Sequence, residues 1–157
     1  MIAILQRAES ASVRVDGKTV GEIGQGLLVL LGVSREDTCE DVELLCKKIL
    51  ACRIFCDEND KMNLSVRDVG GSVLVVSNFT LLANYAHGNR PDYMQAAGPS
   101  EANALYEYFV ELVRRDGTPV ATGEFGADMR VHLVGDGPVT IAMDSNQLKK
   151  KKKETVQ

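Results

Sequence analysis

Two short polar insertions between apolar runs hold the residues best suited to chemistry. The first, Ser77-Asn78-Phe79-Thr80-Leu81, follows Ser72-Val73-Leu74-Val75-Val76 and sets two hydroxyls, an amide and an aromatic ring within four positions. A hydroxyl becomes a useful nucleophile only beside an activating base. None is near in sequence, because His87 and His132 are the only histidines and neither belongs to a nucleophile elbow or triad signature. Thr80 is the best placed hydroxyl, with Ser77 second, and both suit substrate positioning better than covalent attack. Phe79 is a candidate to stack on a flat ring of a ligand, a contact of about 1 to 3 kcal/mol where that ring is an unpaired base. The plainer reading of this segment is a strand ending in a hydrogen-bonded turn with a core phenylalanine. The second insertion, Gly135-Asp136-Gly137-Pro138, separates Val131-His132-Leu133-Val134 from Val139-Thr140-Ile141-Ala142-Met143. Glycine tolerates positive φ and proline fixes its own, so this backbone can bend sharply, stay stiff and present bare main-chain atoms. Residue types alone favour a hairpin turn there. They leave the Gly137-Pro138 peptide free to be cis or trans.

The elements that would position these insertions follow from patterning. Met1 to Glu9 and Ser12 to Val15 read as strands, and Asp16-Gly17-Lys18 is a turn signal into Thr19 to Ile23. Leu27 to Leu31 is apolar without alternation, as expected of a central strand covered on both faces, and Ser72 to Val76 reads as a second buried strand delivering Ser77. Ser34 is a candidate N-cap for a helix over about 36–51, whose apolar stripe is Val42, Leu45, Cys46, Ile49 and Leu50. Ser100 is expected to cap a second helix reaching about Arg115 and burying Leu105, Phe109, Leu112 and Val113. Short strands are expected at Arg53 to Cys56, Met62 to Leu64, Pro119 to Glu124 and Met129 to Val134. Ala83 to Gly98 lacks a period and reads as a loop able to border a pocket. The expected architecture is mixed α/β, a strand-rich core with two main helices on one side.

Composition narrows the function class. A chain of 157 residues suits one domain, assigned to residues 1–148, with 149–157 as a lysine-rich, disordered tail. Net charge is -4, but Lys149 to Lys153 mask a body of 13 basic and 21 acidic residues, net -8. Such a body does not attract a polyanion over distance, so any RNA contact has to be local or helped by the tail. Cys39, Cys46, Cys52 and Cys56 have neither zinc-site spacing nor a secreted disulfide pattern. Asp57-Glu58-Asn59-Asp60 lacks the ligand spacing of an EF-hand. No metal, cofactor, membrane span or secretory signal is expected, and the reading is cytoplasmic.

Together, the two insertions resemble the D-aminoacyl-tRNA deacylase family, which carries Ser-Gln-Phe-Thr-Leu at the first and Asn-x-Gly-Pro-x-Thr at the second. The resemblance extends from Met1-Ile2-Ala3-Ile4-Leu5-Gln6-Arg7 through Gly26 to Val33, Lys61-Met62-Asn63-Leu64, Gly88-Asn89-Arg90-Pro91 and Ala127-Asp128-Met129 to Thr140. Asn78 stands where the family has Gln, and Gly135 where it has Asn. The resemblance implies three layers, helix, sheet and sheet, and a homodimer with active sites near the subunit interface. It implies a substrate, the 3′ adenosine end of aminoacyl-tRNA rather than DNA, whose 2′-hydroxyl assists hydrolysis. It also implies a Gly137-cis-Pro138 loop inserted into the partner's pocket to reject L-amino acids, with achiral glycine on mischarged tRNA-Ala accepted. Asn78 belongs to the substrate site in this picture, Arg7 braces the loop and Met129 packs beneath it. A nonenzymatic tRNA-binding module and a Thr80-dependent small-ester hydrolase are the alternatives.

Overall fold

The computed structural model describes the backbone of residues 1–154 and side chains through Lys149. Its elements in chain order are β1 (Ile2–Val15), β2 (Lys18–Ile23), β3 (Gly26–Gly32), α1 (Cys39–Leu50), β4 (Phe55–Cys56), β5 (Met62–Leu64), β6 (Ser72–Ser77), a 3₁₀ turn (Phe79–Leu82), α2 (Pro99–Asp116), β7 (Val120–Thr122), β8 (Arg130–Asp144) and α3 (Ser145–Glu154). The expected mixed α/β class is what forms. None of these helices is long and apolar enough to cross a membrane.

β1 is the strand on which the sheet is built. One of its edges pairs antiparallel with β3 over Ile2 to Ala8 and then with β2 over Ala11 to Val15. The other edge pairs with β8 from Ile2 to Arg14. A single 14-residue strand therefore replaces the two read from the sequence. Pairing with β8 carries it through Ser10, between the β3 and β2 partners of its other edge, with irregular register around Ala8 absorbing the bend. β3 and β6 pair in parallel, as do β6 and β7. β2 then returns against β7 so closely that a Cβ on Gly21 would sit 2.1 Å from the Thr122 carbonyl oxygen. The sheet is thus curled almost into a barrel.

That curl explains why β3 and β6 lack polar alternation. Leu27, Val29, Leu31, Val73 and Val75 face the helices, while Leu28, Leu74 and Val76 join Ala8, Ala11, Val13 and Ile23 inside the curl. Period-two packing is present with both faces dry. The apolar stripe of α1 is buried as read from the sequence, at Val42, Leu45, Cys46, Ile49 and Leu50.

The helix ends differ from the sequence reading. α1 starts after Thr38, not near Ser34, because Thr38 and Asp41 form a reciprocal capping box in which Thr38 N donates to the Asp41 carboxylate at 2.8 Å. Ser34 instead forms a separate turn, its N–H donating to Asp37 at 2.6 Å. α2 begins with Pro99 in the first helical turn after Gly98, so Ser100 lies inside it. Its buried side is Ala102, Tyr106, Phe109, Val110 and Val113, leaving Leu105 and Leu112 only partly covered.

The lysine run also departs from expectation. α3 continues through Glu154, and Lys149 reaches the fully buried Asp41 at 2.8 Å. Burial pushes the Asp41 carboxyl up, but hydrogen bonds from Lys149, Ser145 and Thr38 outweigh it and hold the group at about 2. The first lysine of the expected disordered tail is therefore an anchor of the body, and a third helix joins the two expected. The part of that tail at 155–157 lies outside the described residues.

Candidate active site

β6 delivers the first insertion to a cavity at its carboxyl end. The Asn78 N–H extends the ladder to the Leu31 carbonyl at 2.8 Å before the chain tightens into the 3₁₀ turn. Gly32 makes that turn possible, since a Cβ there would lie 2.6 Å from Leu82 and 3.0 Å from the Asn78 carbonyl. Behind it, Tyr106 donates to the Val75 carbonyl at 3.1 Å and ties the carboxyl end of β6 to α2. Burial pushes its hydroxyl up to about 12 despite the Thr122 hydrogen bond, so it stays a neutral donor.

The cavity is about 550 Å³, ample for a nucleoside. Ser77, Asn78, Phe79, Tyr93, Phe125 and Met129 are among the residues that line it. Met129 lies so close to Gly123 that a Cβ there would be 2.6 Å from its sulfur. The Phe79 ring is 56 % exposed and meets Tyr93 edge-on, with centroids 5.1 Å apart and planes at 79°. It is not the core residue of the plainer reading. Thr80 is exposed, and its hydroxyl donates to the Asn78 side-chain oxygen. That amide is no base, and among the described residues no histidine or carboxylate lines the cavity. The 83–98 loop does border it, through Tyr93, Ala96 and Ala97.

The second insertion is not a hairpin. Val131 to Gly135 and Thr140 to Asp144 both pair with β1 in the same direction, so the chain never reverses. Asp136 to Val139 bulge out opposite Arg7, and the Gly137-Pro138 peptide is cis. Gly137 sits at φ +145°, where only glycine is at ease, with an added Cβ 2.3 Å from the Val139 nitrogen.

Arg7 is 9 % exposed and holds this bulge from below. Its Nε donates to the Asp136 carbonyl at 3.0 Å and lies 3.2 Å from that residue's carboxylate, while a terminal nitrogen donates to the Ile54 carbonyl at 2.8 Å. Gly135 faces open space within 4 Å, so packing does not forbid a side chain there.

Within one chain, then, Ser77, Asn78, Phe79 and Met129 come together, Thr80 stands beside them, and Arg7, Gly137 and Pro138 form a separate cluster. Neither Gly137 nor Pro138 lines the cavity. Sequence reasoning missed Tyr93 and Phe125. Tyr93 lay in the loop expected to border a pocket, whereas nothing around Phe125 announced its place. His87 and His132 are both exposed, and no cluster of three or more metal-ligating side chains occurs among the described residues.

Residues 4–144 match the family model described as D-Tyr-tRNA(Tyr) deacylase. The chain belongs to the D-aminoacyl-tRNA deacylase family. Among its relatives, the D-aminoacyl-tRNA deacylase of Yersinia enterocolitica is 59% identical over 140 residues, 89% of this chain and 97% of that protein. The D-aminoacyl-tRNA deacylase of Clostridium botulinum strain 657 is 52% identical over 147 residues, 94% of this chain and 99% of that one. A solved structure named c-Myc DNA Unwinding Element Binding Protein superposes with a TM-score of 0.88 at 42% identity, covering 92% of this chain and 98% of its own. One described as a probable eukaryotic D-amino acid tRNA deacylase, at 20% identity and a TM-score of 0.75, shares the fold. Membership makes this deacylase a hydrolase.

Proposed function

We propose that this deacylase hydrolyses the ester joining a D-amino acid to the 3′-terminal adenosine of tRNA and spares the L form. The observation that carries the reading is the pairing of a base-free cavity with a rigid main-chain bulge outside it. Water adds to the ester carbonyl carbon, the bond to the ribose 3′ oxygen breaks, and the departing oxygen takes up the proton that water loses. With Thr80 bonded only to an amide, the neighbouring ribose 2′-hydroxyl is the group to relay that proton. An aminoacyl ester is already activated by its electron-withdrawing α-ammonium group, so positioning suffices. Ser77, Asn78 and Thr80 orient the substrate's polar atoms, Phe79 offers its ring to the adenine, and Met129 closes the wall behind.

Enantiomers share one side chain, so pocket volume cannot separate them. Handedness has to be read at the α-carbon by groups that do not move. The main chain of Gly137 and Pro138, braced by Arg7, meets that need: its carbonyls accept from the α-ammonium group and leave no room for an L side chain. Glycine has no side chain to reject, so glycyl-tRNA mischarged on tRNA-Ala is a second substrate of this mechanism. Because the bulge lies outside its own cavity, it serves the partner's cavity in a homodimer. Exposed Val131, Leu133 and Val134 on β8 offer the apolar surface such a dimer would cover. The reaction belongs to the cytoplasm, where tRNA is charged, and needs no cofactor.

The test is ester loss from D-aminoacyl-tRNA beside free D-amino-acid ethyl esters. Accelerated loss from the tRNA alone is expected. Binding without ester loss would mean a nonenzymatic tRNA-binding module, and comparable turnover of the free esters would mean a small-ester hydrolase.

A further inference from the structure

The loop that borders the cavity has more exposed aromatic and cationic surface than a pocket wall needs. Asn84 and Asp92 exchange two backbone hydrogen bonds, N–H to carbonyl at 2.8 and 2.9 Å, which pinch residues 85–91 into a projecting tip. Tyr85 is 78 % exposed and Met94 66 % exposed, so both leave large apolar faces in water. Arg90 on the tip is exposed too. So is Arg35, whose backbone N–H donates to the Gln95 carbonyl at 3.0 Å and ties it to the same loop. Among the described residues neither arginine has an ion-pair partner, although acidic residues outnumber basic ones across the body. Tyr93, on this loop, meets Phe79 edge-on, and both rings line the cavity.

We infer that the 84–94 loop, with Arg35 beside it, is the landing surface for the unpaired nucleotides that precede the terminal adenosine. This rests on the proposed function, which puts that adenosine in the cavity. The RNA strand must leave the mouth, and a single strand is held by aromatic faces for its bases and free guanidinium groups for its phosphates. The loop offers both, next to the exit. A second copy of this chain is the poorer occupant: the exposed aliphatic strip on β8 is the surface suited to it, whereas here Tyr85 and Tyr93 flank His87, Asn89 and Arg90. Two free arginines also answer how a body of net charge -8 engages a polyanion locally.

The experiment compares Tyr85→Ala and Arg90→Gln with the unaltered protein on D-aminoacyl-tRNA and on D-aminoacyl-adenosine, which lacks the preceding nucleotides. Each variant is expected to raise KM for the tRNA about 10-fold with kcat held, the loss of one stacked base or one phosphate contact. Kinetics on D-aminoacyl-adenosine should not change. Arg90→Gln should also lower the slope of log(1/KM) against log salt by about 0.7, the single-strand value for one phosphate. Unchanged KM for the tRNA, or equal losses on both substrates, would overturn the inference. So would a variant that changes subunit association in sedimentation, since the loop would then be a contact between copies. Failure of the unaltered protein to hydrolyse either substrate would sink the proposed function with it, whereas active protein with insensitive variants sinks only this inference.

Discussion

Gly137→Ala tests the main-chain wedge by the smallest possible addition. At φ +145° a side chain is disfavoured by about 1 to 3 kcal/mol, and the new Cβ would lie 2.3 Å from the Val139 nitrogen and 2.9 Å from its Cγ2. Contacts below 3.0 Å do not persist, so the backbone must move by at least about 0.7 Å along that line. A hydrogen bond of about 2.9 Å opened by that much passes beyond useful range. A misplacement of about 1 Å at a reacting centre can cost about 100-fold. The expected result is a fall of about 10- to 100-fold in kcat/KM on D-aminoacyl-tRNA, with a D:L rate ratio lowered at least 10-fold. Gly135→Ala, two residues away and facing open space, should leave both unchanged. Initial-rate deacylation of matched D- and L-aminoacyl-tRNA measures this, with urea unfolding to show that the variants are folded. A folded Gly137→Ala protein with the original rates and ratio would refute the reasoning.

Arg7→Met strips the Ile54 and Asp136 carbonyls of a buried donor and should cost about 2 to 3 kcal/mol in urea unfolding while lowering the D:L ratio. Thr80→Ala should retain kcat within about 10-fold, because its hydroxyl meets only an amide, whereas tRNA ending in 2′-deoxyadenosine should lose about 100-fold or more; single-turnover deacylation distinguishes the two. Acid should loosen the α1–α3 junction. Asp41 is held at about 2 against an ordinary 3.8, so its contribution is complete above about pH 4 and disappears as pH falls toward 2. With Lys149 partly in solvent, that contribution is about 1 kcal/mol, and Lys149→Met should flatten the pH 4 to 2 limb of the unfolding midpoint.

Much of this arrangement was legible because it is written in local pattern. The apolar run Ser72 to Val76 announced a buried strand and hence where Ser77 would emerge, and the stripe of α1 was readable from its spacing. The start of α1 was legible too, in Thr38 and Asp41, but Ser34 with Glu36 competed as an earlier signal. Ser34 and Asp37 use those same preferences to make a turn. What local pattern does not encode is who pairs with whom. Gly135 to Pro138 have hairpin composition, and only the shared partner β1 turns the reversal into a bulge. For the same reason Phe125 was invisible: it reaches the cavity because β7 lies beside β6, a fact of topology. Lys149 looked like the start of a solvated charge run because its partner, Asp41, lies 108 positions earlier and is buried only when α1 packs.

The most direct measurement is the pair of initial rates at which purified protein releases the two mirror forms of one amino acid from the same tRNA. A stationary main-chain wedge predicts fast release of the D form and release of the L form at the uncatalysed rate. Equal acceleration of both would contradict it.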